Sequence, residues 1–108
     1  MSDRTIGILG LGIFGSSVLT ALAKQDMNIF AIDDHAERIN QFEPVLARGV
    51  VGDITDEELL RTAGIDTCDT VVVATGENLE SSVLAVMHCK SLGVPRVIAK
   101  VKSHTAKK

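Results

Sequence analysis

An apolar run, Thr5-Ile-Gly-Ile-Leu9, passes directly into Gly10-Leu-Gly12-Ile-Phe-Gly15, then into helix-compatible sequence and a second apolar run, Asn28-Ile-Phe-Ala-Ile-Asp33. A strand, a Gly-x-Gly-x-x-Gly turn, a helix and a strand closed by an acid, in that order, restrict the segment to a βαβ unit of the kind that binds nucleotides. Gly10 lets the chain turn off the strand, Gly12 removes a side chain where a pyrophosphate approaches, and Gly15 lets the helix pack on the sheet. Phosphates then lie at a helix N-terminus, where unpaired N–H groups and the helix dipole favour negative charge. Ile13 and Phe14 open that helix. Asp33 is expected to accept hydrogen bonds from both ribose hydroxyls and to repel a 2′-phosphate, with Asp34 beside it. Three glycines at this spacing also occur in loops that bind nothing; the flanking strands, the helix and the acid are what give them meaning.

The rest of the chain repeats the same alternation. Phe14, Val18 and Leu22 recur at helical spacing to about Lys24, and Asn28–Ile32 forms the second strand. Asp34 is read as the cap of a short helix that reaches Phe42 and stops at Pro44. A third strand follows around Gly49–Val51, and Thr55-Asp-Glu-Glu58 reads as a capping box ahead of Leu59, Leu60 and Ala63, with Gly64 as the stop. Thr70-Val-Val-Val-Ala74 is an unbroken apolar strand, as expected for a central parallel strand covered on both faces. Thr75-Gly76-Glu77-Asn78 is a second loop at the same sheet edge. A helix over 79–92 and a strand over 96–100 complete the pattern. The right-handed crossover rule then gives a Rossmann-like, doubly wound α/β parallel sheet of order 3-2-1-4-5, with the ligand crevice between Gly10–Gly15 and Thr75–Asn78. A sixth strand is expected either beyond this segment or from a partner. Residues 1–101 read as one nucleotide-binding domain and 102–108 as a polar tail or the start of a crossover segment.

Composition narrows the partners. The chain has 108 residues, a formal charge of −3 and three Phe as its only aromatics, so it has neither a base-stacking platform nor the positive charge that a polyanion requires. Nucleic acid is excluded as a partner on these grounds. The first apolar run is broken by glycines within a few residues, so no direct membrane insertion is expected. Cys68 and Cys89 lack metal-ligand spacing and read as small core residues. His35, His88 and His104 are scattered; His35, just after a strand end, is placed to neighbour a ligand, but the preferred reading is a solvated residue at a helix start. No catalytic pair or metal site emerges.

Taken together, Ile8-Leu-Gly10-Leu-Gly12-Ile-Phe-Gly15, Ala31-Ile-Asp33, Val51-Gly-Asp53-Ile-Thr-Asp-Glu-Glu-Leu-Leu60, Val71-Val-Val-Ala-Thr75-Gly76-Glu-Asn78 and Val97-Ile-Ala-Lys100 resemble the N-terminal nucleotide-binding domain of the TrkA/KtrA family. These domains, also called RCK or KTN domains, regulate potassium channels and transporters. The resemblance covers nearly the whole chain, and its Gly-Asp-x-Thr-Asp-Glu-Glu segment is the distinctive part. It implies a cytoplasmic regulatory module, peripheral to the membrane through a potassium channel or transporter subunit, that binds NAD(H) or ATP, ADP or AMP without chemistry. It also implies a homodimer or larger ring. Residue by residue, Gly10, Gly12 and Gly15 would receive phosphates, Asp33 the ribose, and Asp53 and Ile54 the adenine. Thr75, Gly76 and Asn78 would meet the ligand from the facing loop, and Lys100 would attract a phosphate. Members of the Ktr type often carry an arginine between the second and third glycines; here that position is Ile13, which leaves open any preference for a triphosphate.

Two other classes share the glycines and Asp33. The cofactor domain of an NAD-dependent oxidoreductase is the alternative, although such an enzyme needs an acid–base residue facing the nicotinamide. An S-adenosylmethionine-dependent methyltransferase is disfavoured by the Asp53–Leu60 segment. Leu79, Val83, Leu84, Val86, Met87 and Leu92 give the last helix more apolar surface than one sheet face covers, so part of it is expected to contact another protein.

Overall fold

The computed structural model describes residues 4–75 and 78–100. Five parallel strands, β1 (Thr5–Leu9), β2 (Asn28–Asp33), β3 (Arg48–Val51), β4 (Thr70–Val73) and β5 (Arg96–Ala99), form one sheet of order β3-β2-β1-β4-β5. The order read from the sequence is the one observed. Leu9 lies opposite Ile32 on one side and Val73 on the other, so the C-terminal ends of the three central strands are level.

The central strands are apolar on both faces because both faces are covered. Ile8, Ala31 and Ile29 pack with Leu19 of α1 (Ile13–Leu22) and Ile39 of α2 (Ala36–Phe42). Leu9, Ile32, Val71 and Val73 face the other way, onto Leu60 of α3 (Glu57–Thr62) and Ala85 and Cys89 of α4 (Leu79–Ser91). Val71, Val72, Val73 and Ala74 are all buried, as expected of a strand between two helical layers. Cys68 and Cys89 are buried free thiols; burial pushes Cys68 up to about 12 and Cys89 up to about 11, so both remain protonated and inert.

Two helix caps differ from the sequence reading. α2 is entered through His35, without a side-chain cap. Asp33 replaces Asp34 as the organising acid, its Oδ1 accepting from His35 N–H at 2.8 Å. At α3 the cap is Asp56, one residue later than the expected Thr55, and it accepts from the amides of Glu58 and Leu59. Thr55 is diverted to Asp53, whose Oδ1 accepts from both its amide and its hydroxyl. The preceding turn captures the hydroxyl that a capping box would have used.

Candidate functional site

The winding reverses between β1 and β4, and the crevice this leaves at the C-terminal ends of the strands is where open α/β sheets take ligands. A cavity of about 760 Å³ lies there, large enough for a nucleotide.

The glycine turn forms one wall. Gly10 has φ +100° and sits so close to β4 that a Cβ would come within 2.6 Å of the Ala74 carbonyl oxygen. Only glycine fits such a position. Gly15 is buried against the turn, its Cβ direction 1.9 Å from the Gly10 carbonyl oxygen, so it supports the site from behind rather than lining it. Gly12 is different. Among the described residues a Cβ there would meet no atom within 4 Å beyond its chain neighbours, so no described contact requires a glycine at this point, and the space opens into the cavity. Ile13, at the first turn of α1, is 92% exposed on the same rim.

Asp33 is the chemical centre. It is only 3% exposed, and Oδ2 accepts from Leu11 N–H at 2.6 Å, which pins the turn to the end of β2. Oδ1 accepts from His35 N–H and lies 3.1 Å from His35 Nδ1, while Arg38 reaches Oδ2 at 3.4 Å. Burial alone would raise its pKa, but the Leu11 and His35 amides, the His35 ring and the Arg38 charge together outweigh it. The carboxyl lies below the ordinary aspartate value. Asp34 is exposed and pairs with His35 Nδ1 at 2.7 Å. Asp33, Asp34 and His35 thus bring ligand-type atoms within 4.8 Å of one another, a clustering that their hydrogen bonds account for without an ion.

Next to Asp33 lies the loop after β3, the neighbouring strand. Asp53 and Ile54 line the cavity, with Ile54 half-buried and packed toward the α3–α4 core. The bonds to Thr55 hold Asp53 below the ordinary carboxylate range. From the β4 side come Thr75 and Asn78. Asn78 also caps α4, accepting from Ser81 N–H at 3.0 Å, and Thr75 hydrogen-bonds both the Asn78 carbonyl and Ser82. Gly76, expected in this wall, lies outside the described residues. Lys100 closes the end of β5, its Nζ held 5.4 Å from the centre of the Phe14 ring, a cation–π contact that ties it to the glycine turn.

Gly10, Gly12, Ile13, Phe14, Asp33, Asp34, Asp53, Ile54, Thr75, Asn78 and Lys100 therefore meet around one cavity. Sequence reasoning missed Ser17 and Ser81, each one turn into a helix that starts at the site, and Arg38, which follows Asp33 by a turn of α2. Helical spacing from Ile13 and Asn78, already assigned to the site, could have found Ser17 and Ser81; Arg38 reaches Asp33 only through the docking of α2 on β2. Gly52 and Ala74 also line it, beside strand ends already assigned to the edge.

A family model described as the TrkA-N domain matches residues 6–108. Ktr system potassium uptake protein C of Bacillus subtilis is 33% identical over 100 residues, which make up 93% of this chain and 45% of that protein. Kef CTD of Shewanella denitrificans in its AMP-bound form superposes with a TM-score of 0.70 at 20% identity, over 91% of this chain and 58% of that one. The GsuK channel bound to NAD gives 0.76 at 17% identity, over 96% of this chain and 19% of that one. At such identities the structural likenesses speak for the fold. The chain spans about half the length of the Ktr proteins it matches. With the family model running from β1 past β5, and the sheet order and glycine turn in agreement with it, this chain belongs to the TrkA-N domain family.

Proposed function

We propose that this chain is the nucleotide-sensing part of a potassium transport system, binding NAD(H) or an adenine nucleotide without turning it over. One observation carries the reading: none of the described residues fills the space over Gly12, which opens onto a cavity that also holds Asp33, Asp53 and Lys100. Phosphates would take the amides at the start of α1, the ribose would take Asp33, and adenine would lie against Ile54 and Asp53. Lys100, steadied by Phe14, supplies positive charge that Ile13 does not. The NAD and AMP named with the GsuK and Kef structures are the two ligand types that such a cleft would accept. Regulation without chemistry is supported by the site's carboxylates: Asp33 and Asp53 are held below the ordinary range, the opposite of what a general base near neutral pH needs.

A titration panel of NADH, ATP, AMP and S-adenosylmethionine tests the proposal. Saturable binding of one of the first three, with no product formed, is the expected result. Preference for S-adenosylmethionine, or consumption of NADH with a small-molecule substrate, would overturn it.

In this reading the partner is a potassium-transporting membrane subunit, which the Ktr potassium uptake proteins among its relatives support; among the described residues of this chain no helix is long and apolar enough to cross a bilayer. The domain itself pairs through α4. Leu79, Val83 and Met87 are 57%, 48% and 59% exposed and fall on one stripe at four-residue spacing, a face suited to a second copy of the chain in an isologous dimer. Val86 instead packs toward the core. Met87→Glu should therefore give a folded monomer by sedimentation, whereas Val86→Glu should lower the thermal midpoint. A wild-type chain that stays monomeric at high concentration would remove this interface.

A further inference from the structure

An ionised carboxylate offers about four acceptor positions. At Asp33 each is engaged: Leu11 N–H at 2.6 Å and Arg38 at 3.4 Å on Oδ2, His35 N–H at 2.8 Å and the His35 ring at 3.1 Å on Oδ1. The two main-chain donors belong to the fold. The other two come from side chains at the cavity rim that are 49% and 42% exposed, and these can leave. A ribose that presents two hydroxyls to Asp33 must therefore replace the His35 ring and Arg38. Once replaced, Arg38 is still rooted in the first turns of α2 on the wall of the same cavity, now as a guanidinium without its carboxylate.

We propose that Arg38 sets how the cleft treats the ribose 2′ position, competing with a 2′-hydroxyl for Asp33 but recruiting a 2′-phosphate. The inference rests on the nucleotide reading above and concerns the same site. A hydroxyl gains Asp33 only by breaking the Arg38 contact, whereas a 2′-phosphate offers the guanidinium two oxygens in the geometry its planar fork matches. Exposed Asp34 and Asp53 act against the phosphate from either side. Discrimination in the native chain is thus a small difference between opposed terms, and Arg38 is the one that a single substitution removes. The simpler expectation that Asp33 excludes a 2′-phosphate holds only once Arg38 is gone.

AMP and adenosine 2′,5′-bisphosphate differ by that one group, and calorimetric titration of the 108-residue chain with each provides the test. Arg38→Met should bind AMP about two- to fivefold more tightly, the effect of deleting a half-exposed ion pair that competes with the ligand. It should bind the bisphosphate about tenfold or more weakly, as a charge-assisted contact is lost. Arg38→Lys, which keeps the charge but not the fork, should fall between, and it carries the comparison if the Met variant does not fold. Parallel changes for both ligands, or none, would overturn the inference while leaving nucleotide binding intact. Failure of the native chain to bind either ligand would overturn the inference, and failure to bind NADH and ATP as well would remove the nucleotide reading with it.

Discussion

Gly15→Ala should lower the thermal midpoint by about 12–24 °C, while Gly12→Ala should leave it within a few degrees and abolish most nucleotide affinity. At Gly15 the new methyl would lie 1.9 Å from the Gly10 carbonyl oxygen and 3.3 Å from Ala74 Cβ. The obstacle is backbone, so the glycine turn itself must move. Overpacking typically costs about 1–3 kcal/mol, and a rigid main-chain neighbour puts this case at the upper end. For a domain near 100 residues, about 3 kcal/mol corresponds to the shift quoted. Gly12 has φ −73°, outside the left-handed region that favours glycine, and among the described residues no atom beyond its chain neighbours lies within 4 Å of the added carbon. Its methyl instead fills the approach to the amides at the start of α1. Thermal denaturation followed by circular dichroism, with titration of NADH and AMP, separates the two effects. Undiminished binding by Gly12→Ala would mean that phosphates do not approach there.

The two glycines also show how far the sequence could be read. The Gly-x-Gly-x-x-Gly spacing and its flanking strands predict the turn because it depends on local backbone geometry, and the strand–helix alternation with right-handed crossovers predicts the sheet order and the crevice. Helix caps were less legible. Asp33 and Asp34 are adjacent acids, and sequence alone does not say which one turns inward; burial at the end of β2 selects Asp33. Thr55 and Asp56 pose the same ambiguity, settled by the competing turn at Asp53. Arg38 escaped notice because its contact with Asp33 depends on how α2 docks, a tertiary fact without a spacing motif. The expected excess of apolar surface on the last helix is there, but only the structure distinguishes the exposed Met87 from Val86, which packs on the core.

Asp33→Ala should weaken AMP and NADH alike by about ten- to a hundredfold, the range for losing charge-assisted hydrogen bonds worth about 1.5–3 kcal/mol. The same substitution removes the acceptor of the buried Leu11 amide, which ties the glycine turn to β2, and an unsatisfied buried donor costs about 1–3 kcal/mol of stability. Lost affinity and a loosened turn would then be confounded. Asp33→Asn separates them, since its side-chain oxygen can still accept from Leu11 while its amide group cannot replace the second carboxylate oxygen. Acid titration supplies an independent measure of the native carboxylate. Because the folded pKa of Asp33 is lowered, its stabilising contribution is complete above the unfolded value near pH 4 and is lost as pH falls through the folded value. Unfolding free energy of the native chain should therefore drop below about pH 4, and that drop should be smaller in Asp33→Asn. It should not vanish, since Asp53 is also held low and would still titrate. A folded Asp33→Asn that binds AMP as tightly as the native chain would rule out the ribose role; equal acid sensitivity would show that the carboxylate does not brace the turn.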